Sequence, residues 1–441
     1  TANDTMASKP TTARAVSELE AEAQRWASEE ASAAELHGVL GARELAESEA
    51  SPRVVATSEE SARPDQGNRI PAHEYLDQER VLREKARLAA GLLGRSRHVA
   101  VYAGAGLSRA AGIADYASKA SESVSSDSSP VHPLDARPTY SHCVLTALHR
   151  RKRSTAQFSF VQQNHDGLPQ KANFPQECMN EIHGSWYDVS NPVIMMSGSL
   201  REDLFADLLR IEQEADLCLC LGTSLSGMNA DRIAQTVSRK AAKSPPQALG
   251  TIIVNLQRTT HDAHCALRVW ARLDDFFAML AEEMQLEVDT QPMKSHLDPT
   301  VGGDPVEKDG DPKSSPSDPG TASSDTASSD DSVEEDVFYI PYDEHGLLDR
   351  SKRMRLDLRE DALVRVVHEG AINFGSEGEV RGKDRNGHYM VMLREPVRRK
   401  GKVVNRFPIT RRLGSWWVNT LRRGAVPRTP LLNLDPVVVD V

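Results

Sequence analysis

The stretch His98-Val-Ala-Val-Tyr-Ala-Gly104-Ala-Gly106-Leu-Ser108-Arg-Ala-Ala-Gly112-Ile-Ala-Asp115-Tyr116 decides the fold. An apolar strand runs straight into a glycine-rich turn, and a helix of small residues follows. α/β proteins hold a pyrophosphate with this arrangement: glycine lets the main chain approach the ligand, and the N–H groups of the following helix end point at its negative charge. Arg109 stands where the dinucleotide fingerprint would place its third glycine. A plain Rossmann dehydrogenase is therefore disfavoured, and another nucleotide-binding α/β fold is expected.

Outward from this turn, short runs that are apolar on both faces predict further strands at 158–162, 217–221 and 251–255, after the first at 99–103. Helical stretches separate them, as a covered parallel sheet demands. Residues 74–93 carry apolar positions at helical spacing and predict an amphipathic helix leading into the first strand. The expected organisation is a polar helical or flexible arm over 1–68, a nucleotide-binding domain over 69–290, an acidic Ser/Pro/Asp linker over 291–336 and a basic, β-rich module over 337–441. The arm has few apolar positions and is expected to be solvated. Residues 118–130 form a serine-rich insertion, and the linker is too poor in apolar residues to pack.

Over 441 residues, 39% hydrophobic and 5% aromatic content is thin, so much of the chain should be solvated. The net charge of −11 hides a basic segment in which Arg394, Arg398, Arg399, Lys400, Lys402, Arg406, Arg411, Arg412, Arg422, Arg423 and Arg428 stand against Glu395 alone. With Trp416 and Trp417 nearby, 394–428 reads equally as a footprint for nucleic acid or as a surface for an acidic protein. The strand alternation around it, with the hairpin dipeptide Asn386-Gly387, predicts a small β-barrel of SH3 or KOW type. Five cysteines, Cys143, Cys178, Cys218, Cys220 and Cys265, form no CxxC pair. That pattern argues against a disulfide framework or zinc ribbon and for a reducing, intracellular compartment, with nucleus and mitochondrion both open. No run approaches the ~20 apolar residues of a membrane helix.

Further motifs follow in order: Gly112-Ile-Ala-Asp115-Tyr116, Arg137-Pro-Thr-Tyr-Ser-His142, Gln163-Asn164-His-Asp166-Gly-Leu168, Glu181-Ile-His183-Gly184-Ser185, Gly222-Thr-Ser-Leu225 and Asn255-Leu-Gln257. The ordered set resembles the sirtuins, NAD-dependent protein deacylases, and within them the branch with nuclear and nucleolar members. The resemblance implies a Rossmann-like parallel sheet of the sirtuin (DHS-like) type and NAD as cofactor. It implies that Ala103, Gly104, Ala105, Gly106 and Ser108 cradle the pyrophosphate, and that Asp115, Tyr116 and Gln163 also line the NAD site. Asn164 and Asp166 would line the nicotinamide pocket, and Gly222, Thr223 and Ser224 would contact the cofactor at a strand end. Asn255 would contact the adenosine ribose. His183 would be the general base on a ribose hydroxyl, since an imidazole of pKa near ~6.5 accepts a proton at neutral pH.

The departures from the family are equally specific. Its two zinc-binding CxxC pairs are missing, because His183-Gly184 runs almost directly into 193–198, and no metal ligands are expected elsewhere. Ala117 stands where the family has arginine, Pro169 where it has histidine, and the small domain is reduced. Two readings follow. One is an active deacylase or ADP-ribosyl transferase acting on an acyl-lysine protein; the other is a degenerate NAD-binding or structural subunit of a larger assembly, a ribonucleoprotein among the options.

Overall fold

A computed structural model describes residues 13–45, 51–67, 69–115, 119, 123–124, 130–195, 198–291, 335–399 and 402–440. Tyr116, Ala117, most of the serine-rich insertion and nearly all of the acidic linker lie outside the described residues.

Helices α1 (Ala13–Arg25) and α2 (Ala33–Glu44) form the N-terminal arm. α2 starts at a capping box, with Ser32 Oγ accepting from Glu35 N–H at 3.3 Å and the Glu35 carboxylate accepting from Ser32 N–H at 2.9 Å. The expectation of a solvated arm is corrected: Ala23, Trp26, Ala27 and Leu36 are buried. Trp26 packs edge-on with Tyr75 and Trp270, ring centroids 5.1 and 5.8 Å away. Gly38 takes φ +79°, and a Cβ there would lie 2.7 Å from Leu267, so glycine is what lets α2 press against the sheet edge. There the N–H groups of Val39 and Leu40 donate to Cys265 and Ala266 carbonyls at 2.8 Å.

Strands β1 (Arg53–Ala56) and β2 (Glu74–Leu76) pair antiparallel beside this arm. β2 occupies the start of the expected helix at 74–93. Its backbone is engaged elsewhere, Tyr75 N–H on Leu256 and Asp77 N–H on Trp270, so α3 begins only at Glu79 (Glu79–Arg95).

Six parallel strands follow: β3 (His98–Ala103), β4 (Gln157–Gln162), β5 (Met179–Asn180), β6 (Leu217–Leu221), β7 (Gly250–Val254) and β8 (Leu267–Val269), in spatial order β5-β4-β3-β6-β7-β8. Between and after them run α4 (Tyr140–Lys152), α5 (Leu168–Lys171), α6 (Glu202–Glu214), α7 (Arg232–Ala241) and α8 (Leu273–Glu283). Side chains alternate across the sheet. Val99, Val101 and Leu219 share a core with Leu82, Ala86, Leu145 and Phe276 from α3, α4 and α8. Ala100, Tyr102, Cys218 and Cys220 share another with Leu208 and Ile233 from α6 and α7. Both faces are covered, which is why these strands carry apolar residues on both faces.

The C-terminal segment forms two antiparallel sheets where a small barrel was expected. β9 (Val337–Ile340) and β10 (Lys352–Asp357) belong to one; β11 (Leu363–Val366), β12 (Glu377–Lys383), β13 (Tyr389–Arg399) and β14 (Lys402–Leu413) belong to the other. Helix α9 (Trp416–Arg422) follows, then β15 (Leu431–Asn433) and β16 (Val437–Asp440), giving orders β16-β10-β9 and β14-β13-β12-β11-β15. Trp416 and Trp417 are buried, with the Trp416 indole donating to Gln176 Oε1 at 2.9 Å. They anchor this unit to the nucleotide domain, so neither is an exposed stacking platform. Several arginines of the basic run are also paired internally, Arg411 with Glu395, Arg412 with Asp384 and Arg428 with Glu369.

Candidate active site

The chain runs outward from β3 to β4 and β5, then crosses back to β6 on the other side of β3. Open α/β sheets bind ligands where strand order reverses in this way, beyond the carboxyl ends of the strands. A cleft of ≈ 1180 Å³ lies there, lined by Gly104, Ala105, Gly106, Asp115, Gln163, Asn164, His183, Gly222, Thr223, Ser224 and Asn255, among others. Eleven residues expected at the site from the sequence therefore come together around one space.

Its floor is two loops in direct backbone contact. Gly104 N–H donates to the Leu221 carbonyl at 3.0 Å, and Gly106 N–H to the Gly222 carbonyl at 2.9 Å. A Cβ on Gly106 would sit 2.7 Å from Gly222 Cα, and one on Gly222, at φ +55°, 2.6 Å from the Gly106 backbone. A side chain at any of these glycines would drive the two loops apart. Above it, Gln163 donates to the Tyr102 hydroxyl and to Thr223 Oγ1, and Tyr102 donates to Asp231 at 2.7 Å. Asp231 accepts Gly227 and Met228 N–H groups at 2.7 and 2.9 Å, fixing the loop that carries Thr223 and Ser224.

Asn164 Nδ2 donates to the Gly104 carbonyl and to Ser108 Oγ, each at 3.0 Å. Ser108 and Asp166 are placed behind the cleft wall: both are buried, and Asp166 accepts from Ser108 Oγ at 2.6 Å and from Leu168 N–H at 3.0 Å. Burial raises the Asp166 pKa, with those two donors opposing. Ala103 is likewise buried at the strand end, its carbonyl taken by Gln163 N–H at 3.0 Å. Asp115 pairs with Arg109 at 3.5 Å.

His183 follows β5 and reaches the cleft opposite the glycine turn. Burial, helped by the neighbouring His165, lowers its pKa to about 4, while a hydrogen bond to the Gln163 backbone works the other way. The ring is neutral at pH 7, and a nitrogen not engaged by Gln163 can take a proton. Sequence reasoning passed over His165, Trp186 and Arg109, which also line the cleft. His165 Nδ1 lies 2.8 Å from the Gly184 carbonyl, which fixes the proton on Nδ1. In a single sequence nothing separates these side chains from ordinary loop residues.

An extended dinucleotide fits this set. Gly104, Gly106 and Gly222 let the two floor loops meet, and the amide of Asn164, the imidazole of His183 and the cations Arg63, Arg109, Lys119 and Arg272 line the same space.

No family model matches the chain. NAD-dependent protein deacetylase sirtuin-7 of Rattus norvegicus is 28% identical over 292 residues, covering 56% of this chain and 70% of that protein. The Homo sapiens protein of the same name is 26% identical over 277 residues, covering 52% and 66%. NAD-dependent protein deacetylase SRT1 of Oryza sativa subsp. indica is 26% identical over 273 residues, covering 52% and 54%. Over about half its length the chain is thus similar to NAD-dependent protein deacetylases of the sirtuin family. A solved complex described as "Sir2-p53 peptide-NAD+" is 20% identical and covers 44% of this chain and 97% of that one, with a TM-score of 0.37.

In this chain, the loop after His183 turns back at once. Ser185 N–H donates to the Asn191 carbonyl at 2.8 Å, and Ile194 N–H returns to the His183 carbonyl at 3.3 Å. Among the described residues no group of His, Cys, Asp and Glu could hold a metal ion, and Cys218 and Cys220 are buried in the sheet. No helix of the described residues is long and apolar enough to cross a membrane.

Proposed function

We propose that this chain is a sirtuin-type NAD-dependent protein-lysine deacylase with His183 as general base. The observation that carries the reading is the placement of His183 in the same cleft as Asn164 and the glycine floor, with burial favouring its neutral form. Gly104, Ala105, Gly106, Thr223 and Ser224 would hold NAD along the floor, Asn255 its adenosine end and Asn164 its carboxamide. When bound, NAD supplies the ribose carbon that accepts the acyl oxygen and a nicotinamide leaving group. His183, kept unprotonated by burial, would take a ribose hydroxyl proton, and its ring is held for that by the Gln163 backbone. Asp166 would act through Ser108 and Asn164, orienting the amide from behind the wall. Trp186, Val193, Ile194 and Met195 give the cleft an apolar lip suited to an acyl-lysine side chain.

Nicotinamide release with a panel of acyl-lysine peptides, wild type against His183→Ala, tests this. A rate that falls by about 10²-fold or more in the variant supports a general base; equal rates remove the assignment. A second reading, a noncatalytic NAD-binding or structural subunit, is favoured by one placement: Asp166 is committed to Ser108 and Leu168 and is 2% exposed. The basic run 394–428 would then serve a nucleic-acid or acidic-protein partner. Steep salt dependence of polyanion binding would indicate phosphates.

A further inference from the structure

The loop that carries His183 is short and depends on contacts from outside itself. Gly184, at φ +90°, closes it against Pro192, whose carbonyl oxygen would be 2.5 Å from a Cβ on that glycine. At the far side of the loop, Tyr187 and Val189 are fully buried, and they are buried in the core of the C-terminal sheets with Val364, Tyr389 and Leu393. The Tyr187 carbonyl accepts Gly414 N–H at 2.9 Å and the Trp417 indole N–H at 3.1 Å. The Val189 carbonyl accepts Asn373 Nδ2 at 2.9 Å. These donors fix main-chain positions of the loop, which simple adhesion between two surfaces does not require.

The same unit reaches the opposite side of the site. Trp416 packs 5.3 Å from the Tyr187 ring, and a Cβ on Gly167 would lie 2.9 Å from Trp416 Cη2. Gly167 directly follows Asp166. One indole thus abuts both the segment carrying Asn164 and Asp166 and the loop carrying His183.

We propose that the C-terminal β unit is the second half of this site, with Trp417 and Asn373 as positioning residues that hold the His183 loop where the family resemblance leads one to expect a metal-bound module. The proposal rests on the reading of His183 as the base, but its physical core, loop placement by the C-terminal unit, can be measured separately.

The test uses the full chain and two readouts: amide hydrogen exchange across 183–194, and the kcat and KM of nicotinamide release. Trp417→Phe keeps a ring but removes the donor to Tyr187; Asn373→Ala removes the donor to Val189 and serves if the first variant loosens β12–β14 as a whole. Each should speed exchange at Ser185, Trp186 and Ile194 by about tenfold, the weight of one lost hydrogen bond. Each should also lower kcat about tenfold while moving KM for NAD by less than about twofold, because misplacement of the base leaves the cofactor floor intact. Tyr187→Phe, which retains its carbonyl, should leave both at wild-type values, as should a chelator. Unchanged exchange across 183–194 in both donor variants, or loss of protection on chelation, overturns the proposal. Faster exchange in a chain whose wild type releases no nicotinamide upholds the positioning and removes the deacylase reading instead.

Discussion

Ser108 donates its hydroxyl proton to Asp166 at 2.6 Å, joining the glycine turn after β3 to the segment after β4. Asn164 donates to the same Ser108 oxygen, so one hydroxyl organises both groups expected around nicotinamide.

Ser108→Ala should therefore do two things. The Asp166 carboxylate loses one of its two donors inside the wall, which costs about 1–3 kcal/mol of stability, read as a lower urea midpoint. Asn164 loses one of its two acceptors, so calorimetric affinity for NAD should also fall.

Buried histidines should make the fold acid-sensitive. Burial holds His142 near pKa about 3 and His149 near about 4, below their ordinary 6.5. The native state then binds fewer protons than the unfolded one, so their contribution is full above pH 6.5 and is lost as pH falls through the window toward those values. His142 alone accounts for up to about 4 kcal/mol by pH 3. Denaturant midpoints at descending pH should drop less steeply for His142→Gln, which keeps an acceptor for Thr139 N–H.

The pH profile of catalysis should carry the same signature at His183. With its pKa lowered to about 4, the acid limb of kcat/KM should lie near pH 4, not near 6.5. A limb at 6.5 that survives in the free protein would assign the base elsewhere.

Glu181 behaves in the opposite sense. Burial, with Asp188 nearby, raises its carboxyl to about 7, so its stabilising contribution is complete below the unfolded value near 4.5 and is lost as pH rises through 7. Glu181→Gln should match wild type at pH 4 and exceed it by up to about 3 kcal/mol at pH 9.

Trp26→Ala tests the packing of the arm. A solvated helix would lose nothing measurable, whereas removing an indole packed between Tyr75 and Trp270 should cost about 3–5 kcal/mol in thermal or denaturant unfolding.

Four strands were legible because both faces of the sheet are covered, so 99–103, 158–162, 217–221 and 251–255 carry apolar residues on both faces and match the observed strands to within a residue. β5 and β8, with two and three residues, are too short to leave a pattern. The arm was misjudged because its buried positions include Ala23 and Ala27, which register weakly as apolar, and Gly38, whose role depends on Leu267. Eleven of the residues named from the motif order line one cleft, since turns and amides at strand ends gather there. It said nothing of Trp416 and Trp417. Their burial is decided by a loop about 230 residues earlier, shortened enough to seat them.

The Trp270 indole donates to the Leu36 carbonyl, 234 residues back along the chain, and Lys85 reaches that same carbonyl while paired with Asp77 at 2.7 Å. During synthesis, the seat for α2 does not exist until the strand at Leu267–Val269 has been made. At ~5–20 residues per second the arm waits for tens of seconds with Trp26 uncovered. The arm is thus made well before its seat, and in that interval a chaperone or a neighbouring nascent chain can compete for it.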